Sequence, residues 1–167
     1  LFPGVSAVYF SPNDVEIVKG QPAGRRRFID NIIYQARPRF YKYLQGYQRV
    51  LIQRNMLLKT IKSKPTLEKT LEPWDEQLSE FGAQLICQRL KVLGRLSVMA
   101  EDYFREFAGA GQNLQIRYHS EIDISDMESI KEDFKKKLAA CRKRDLQRSY
   151  TTVGPHRDDI DFFIGGK

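Results

Sequence analysis

The chain reads as a mainly α protein of the α+β class, an arm of antiparallel long helices with short strands at both ends. Three observations predict this. Apolar residues recur at intervals of three and four through most of the middle of the chain. Alternating or β-branched runs are confined to the flanks. A composition of 41% hydrophobic and 29% charged residues over 167 positions fits one globular domain with a sizeable core.

The elements follow in order. Val5 to Phe10 is apolar and β-branched and predicts a strand, stopped by Ser11-Pro12. Asp14 to Val18 predicts one or two helical turns, broken at Gly20. Pro22 opens a helix to about Ala36, because a proline in the first turn removes only an N–H that would lack a partner there. Its stripe is Phe28, Ile29, Ile32, Ile33 and Ala36. Pro38 starts a second helix, with a seam of Phe40, Leu44, Tyr47, Leu51, Leu58 and Ile61, until Lys64-Pro65 ends it. A third begins near Pro73 and carries Trp74, Leu78, Phe81, Leu85, Val92, Leu96, Met99, Tyr103 and Phe107 as core. Gly109-Ala-Gly111 closes it. The short connection between the second and third helices makes them antiparallel neighbours.

Leu114 to Tyr118 alternates and predicts a strand. Ser125-Asp-Met-Glu128 has capping-box spacing and starts a fourth helix that runs to about Arg148. Thr151 to Val153 and Ile160 to Ile164 predict strands around a Gly-Pro turn. Strand-like ends around a helical middle imply an inserted arm from about residue 21 to residue 148.

The net charge of +7 suits a polyanionic partner, nucleic acid or an anionic surface, and equally suits plain solubility. No apolar run reaches membrane-spanning length and no signal-peptide pattern appears. Cys87 and Cys141 lack C-x-x-C spacing and read as buried free thiols in a reducing cytosol. Leu1 stands where a complete chain would have Met, so the sequence is expected to begin inside a longer protein.

Three consecutive arginines divide by helical position. Arg25 lies in line with the apolar stripe, where a charge is costly unless paired, so it is expected to be structural, held by a carboxylate or by helix-end carbonyls. Arg26 is expected to pair with Asp30 one turn on. Arg27 points away, a free cation available to an anion or simply solvated. Arg54 interrupts the second seam between Gln53 and Asn55 and is expected to anchor a buried polar network. The fourth helix spreads Lys131, Lys135, Lys136, Lys137, Arg142, Lys143, Arg144 and Arg148 around its surface. The candidate phosphate-contacting set is Arg26, Arg27, Arg37, Arg39, Lys42, Lys135, Lys136, Arg142 and Lys143. Tyr34 and Tyr41 are the best candidates for base stacking, against plain packing.

His156-Arg157-Asp158-Asp159 does not read as a metal or acid–base site, because adjacent strand side chains point to opposite faces. His119 reads as a lone structural histidine. A phosphate loop needs G-x-x-x-x-G-K-[ST]; Gly166-Lys167 is the near match and fails, with Asp161 at the first Gly position. G-x-S-x-G and H-E-x-x-H are absent. No catalytic residue, metal site or cofactor is expected within this sequence.

Four stretches occur together in one order. They are Phe10-Ser-Pro-Asn-Asp-Val-Glu-Ile-Val-Lys-Gly-Gln-Pro-Ala-Gly-Arg-Arg-Arg-Phe-Ile-Asp30, Gln53-Arg-Asn-Met-Leu-Leu-Lys59, Pro73-Trp-Asp-Glu-Gln-Leu78 and Thr151-Thr-Val-Gly-Pro-His-Arg-Asp-Asp-Ile160. In this order they resemble the RecF family of bacterial recombination mediators, over essentially the whole chain. The resemblance implies an arm, lobe II, at residues 21–148, inserted in an ABC/SMC-like ATPase head. Residues 1–20 would supply a head strand and linker, and residues 149–167 the return strands. It implies a cytoplasmic protein of DNA repair, recombination, replication and the SOS response that binds ATP and Mg and dimerises with ATP. Such a protein binds duplex DNA and gap junctions and acts with RecO and RecR to load RecA. The family's Walker A lysine would precede Leu1, and its signature and Walker B motifs would follow Lys167. Asn13 stands where the family usually has Glu, and Gly165 where Asn is usual. The rival expectation is a helical protein-interaction module without DNA contact, marked by an exposed apolar patch at the tip near Ile61 to Leu71.

Overall fold

An apolar stripe holds a helix only where something packs on it, and here one long helix is the surface that the others pack on. The computed structural model describes residues 11–108 and 112–165. A 3-10 turn, Pro12–Val15, leads into α1 (Glu16–Lys19), α2 (Pro22–Ala36) and α3 (Phe40–Ile61). A 3-10 segment, Pro65–Leu71, connects to α4 (Glu72–Ala108), followed by β1 (Leu114–His119), α5 (Met127–Arg148) and β2 (Asp159–Ile164).

α4 is the axis. Along α3 the neighbours run in reverse order, Arg54 to Asp75 and then Gly46 against the Phe81 ring, and Arg37 just before α3 reaches Gln88. Along α5 they also run in reverse, Arg142 to Asp75, then Phe134 against Gly82, then Met127 to Gln84. Both helices are therefore antiparallel to α4, as the short connection and the seams predict. The seams bury Ile33, Tyr47, Leu78, Ile86, Phe134 and Leu138 in one core. A smaller cluster of Leu58, Ile61 and Leu71 closes the far end. β1 and β2 form an antiparallel ladder, from Leu114 opposite Ile164 to His119 opposite Asp159.

The structure corrects several expectations. Thr151 to Val153 is not a strand, because side chains take the hydrogen bonds a ladder would have used: Asn55 Oδ1 accepts from the Thr151 N–H and Asp145 Oδ1 from the Thr152 N–H. The cap of α5 is Asp126, one residue past Ser125. Its carboxylate accepts the Glu128 and Ser129 amides and the Ser129 hydroxyl, which a single serine oxygen could not match. Pro38 sits in the turn before α3, where Phe40 N–H already bonds back to Arg37 O.

Phe28 and Ala36 are exposed, so α2 buries Ile29, Asp30 and Ile33 instead of its whole apolar stripe. Met99, Tyr103 and Phe107 are exposed too, Phe107 to 87%, although they continue the periodicity of α4. Cys87 and Cys141 are partly exposed, not buried. The expected strand Val5–Phe10 and the closing Gly109–Gly111 lie outside the described residues.

Candidate nucleic-acid interface

The loop from Ser149 to Asp158 has little regular structure, yet much of it is buried, so its polar groups need partners from elsewhere. Arginines supply many of them. Arg54, 0% exposed, donates from Nε to Asp75 at 2.7 Å and from Nη1 to Asp145 and to the Thr151 hydroxyl, both at 2.8 Å. Arg142 adds a 2.9 Å bond to Asp75, and Arg144 bonds the Thr152 hydroxyl. Arg89 forks onto both oxygens of Asp30 at 2.8 and 2.9 Å and reaches Pro155 O at 2.7 Å. Gly154 sits at φ 127° directly against the Phe134 ring and the Tyr47 hydroxyl, where any side chain would collide.

Arg25 forks onto Asp159 at 2.7 and 2.8 Å and also reaches Gly20 O at 2.6 Å, the carboxylate-and-carbonyl environment its stripe position demands. That fork holds the Asp159 carboxyl below its ordinary range. Arg26 does not pair with Asp30. It donates to Asp158 O at 2.7 Å, because Arg89 of α4 already occupies both Asp30 oxygens. Asp158 accepts from the Tyr118 and Ser120 hydroxyls, and burial raises its pKa despite those bonds. His156 Nε2–H donates to Thr151 O at 3.1 Å, so Nδ1 accepts from the Tyr47 hydroxyl at 2.6 Å. Burial pushes that imidazole down to about 4, which keeps it neutral at neutral pH.

The candidate phosphate-contacting residues fall into two groups. Arg27, Arg39, Lys42, Lys136 and Lys143 are exposed and make no side-chain hydrogen bond or ion pair among the described residues. The others are engaged: Arg26 as above, Arg37 with Gln88, Lys135 with Glu76, and Arg142 with Asp75. Lys131 bridges Glu76 and Glu80, and Lys137 pairs with Asp133, so α5 puts much of its charge into holding α4 and itself. Tyr34 and Tyr41 pack on each other with centroids 5.5 Å apart, and both remain half exposed. His119 is exposed, 3.9 Å from Asp161, rather than embedded as a structural histidine.

The sequence reading missed Arg89. Its signal was present: it follows Leu85 by one turn on the buried face of α4, the same anomaly that marked Arg54. No group of metal-ligating side chains occurs among the described residues, and no helix there is long and apolar enough to cross a membrane. Ile61 and Leu71 are buried at the arm tip, so the exposed apolar patch expected of a pure protein-interaction module is not at that place.

The fold is shared with part of a solved recombination mediator protein. A solved structure of the recombination mediator protein RecF-ATPrS in the RecFOR pathway superposes with a TM-score of 0.89 at 34% identity, covering 95% of this chain and 43% of that one. The RecF-ATP structure of the same pathway gives the same TM-score and identity over 94% of this chain. The DNA replication and repair protein RecF of Symbiobacterium thermophilum is 37% identical over 172 aligned residues, all of this chain and 45% of that protein. The RecF of Streptococcus gordonii is 40% identical over 160 residues, 96% of this chain and 44% of that protein. No protein-family model matches the chain. The chain belongs to the RecF family of DNA replication and repair proteins and spans less than half the length of these relatives.

Proposed function

We propose that this chain provides the DNA- and partner-contacting arm of a RecF-type recombination mediator. In this reading residues 21–148 are the arm, and residues 1–20 and 149–167 are pieces of the ATPase head. The observation that carries it is the set of exposed cations outside any ion pair on α2, α3 and α5, beside the less exposed arginines Arg25, Arg54 and Arg89, which are held by carboxylates. Such cations suit phosphate contact, which neutralises charge and releases counterions without reading bases. The fork of Arg25 on Asp159 joins the start of the arm to the returning strand β2. That tie suits a projection that must transmit position to a head.

The whole protein would bind ATP and Mg in its head, dimerise with ATP in the cytoplasm and engage single-strand/double-strand junctions. It would work with RecR and RecO to load RecA. The phosphate loop required for nucleotide is absent from this sequence. The chain alone therefore should neither bind ATP tightly nor hydrolyse it, and nanomolar nucleotide affinity of this chain would refute that. The main test is duplex and junction affinity at several salt concentrations. Binding should be sequence-tolerant, roughly micromolar or weaker, and steeply weakened by salt. Affinity indifferent to salt would favour the rival reading of a helical protein-interaction module, whose supporting observation is the exposed Val98, Met99, Tyr103 and Phe107 on α4.

A further inference from the structure

Between α2 and α3 lies a wedge of about 260 Å³, floored by Arg89 of α4 and by His156. Arg26, Arg27 and Asn31 line the α2 side, and Gln48 with Leu44 and Leu51 the α3 side. The donors and acceptors do not balance. Asp30 is the lining carboxylate, and both of its oxygens already face Arg89. Arg26 uses Nη1 on Asp158 O, which leaves Nε and Nη2. Arg27, Asn31 and Gln48 have no side-chain hydrogen-bond partner among the described residues. The His156 ring has both nitrogens engaged and is neutral, so it adds no charge to the wedge. Among the lining groups three guanidiniums therefore meet one carboxylate, with Asp158 and Asp159 acting on Arg26 from outside the lining. Burial first, and then the neighbouring Arg89 charge, lower the Arg26 pKa although Asp159 and Asp158 oppose them. Leu44 and Leu51 keep one wall apolar, which strengthens attraction for an anion inside.

We propose that this wedge is an oxyanion site that takes a phosphate group, held by the Arg26 and Arg27 guanidiniums with the Asn31 and Gln48 amides as further donors. A planar guanidinium fork matches phosphate oxygens, and terminal amides add neutral donors. The reading of the chain as a nucleic-acid-contacting arm bears only on the source of the phosphate, a DNA backbone diester or the monoester of a free nucleotide.

The test uses the full chain, labelled with ¹⁵N. Inorganic phosphate should shift the Arg26 and Arg27 Nε–H and the Asn31 and Gln48 side-chain amide resonances saturably. Chloride at matched ionic strength should not. Arg27→Ala and the double variant Asn31→Ala/Gln48→Ala, at exposed positions, should weaken phosphate several-fold with unchanged denaturant midpoints. A duplex oligonucleotide that displaces phosphate identifies the diester source; displacement by thymidine monophosphate alone identifies the nucleotide source. The site is overturned if phosphate produces no saturable shift in the unaltered chain, or if chloride reproduces it. Duplex binding that persists in both variants, without any phosphate response, rejects the wedge and leaves the arm reading intact. A phosphate response without any duplex binding supports the wedge and rejects DNA contact by this arm.

Discussion

The arginines around the loop at residues 149–158 and the cations on the outer faces of α2, α3 and α5 share a charge but not an environment. Arg54 is fully enclosed by Asp75, Asp145 and Thr151, and Arg89 by Asp30 and Pro155 O. Arg27, Arg39, Lys42, Lys136 and Lys143 face solvent with no such partners. The first set fixes how an irregular buried loop sits against four helices. The second is what an anion can reach. The 28 lysines and arginines, taken as a count, therefore overstate what is available for binding.

Removing a member of the enclosed set should separate the two groups most sharply. Arg54→Ala leaves Asp75 and Asp145 buried without their shared cation and should cost roughly 3–5 kcal/mol, read as a lowered urea midpoint. Arg89→Ala strands Asp30 and Pro155 O and should cost about 3 kcal/mol by the same measurement.

His156 tests the loop through pH. Its folded pKa of about 4 lies below the ordinary 6.5, so the unfolded chain binds the extra proton across that window. Stability from this group is complete above pH 6.5 and is lost as pH falls toward 4, up to about 3 kcal/mol in all. Asp158, with its pKa raised by burial, acts in the opposite sense, since the folded state holds that proton longer. The difference between the unaltered chain and His156→Gln therefore isolates the histidine. Equal pH–stability slopes for the two would remove the imidazole from the explanation.

Arg25→Ala should cost about 2 kcal/mol, because its fork to Asp159 is partly accessible to water. Arg27→Ala should leave the urea midpoint unchanged. Coincident midpoints for these two variants would erase the distinction between paired and unpaired arginines.

Sequence legibility follows the same division. Arg25 and Arg54 are readable because a charge on an apolar stripe demands a partner wherever that partner lies. The partner of Asp30 is not readable, because a local spacing rule points to Arg26 while the true partner, Arg89, is 59 positions away. Asp126 displaces Ser125 as the cap because a carboxylate satisfies more donors at once. Thr151 to Val153 has strand-like composition, but long-range side chains take over its backbone hydrogen bonds. The far half of α4 keeps its apolar period without burial, since periodicity shows which face could be covered, not whether anything covers it. Of the candidate binding residues, the sequence marks the free and the engaged alike, because pairing depends on distant segments coming together.

On the proposed reading the outer cations serve binding and the enclosed arginines serve folding. The direct test of that division is the triple variant Arg27→Glu/Arg39→Glu/Lys42→Glu, measured for duplex affinity across salt and for its urea midpoint. The expected result is weaker binding, a salt slope shallower by about 1 for each phosphate that is no longer neutralised, and an unchanged midpoint. Unchanged affinity and slope, or a midpoint that falls as far as that of Arg54→Ala, would contradict it.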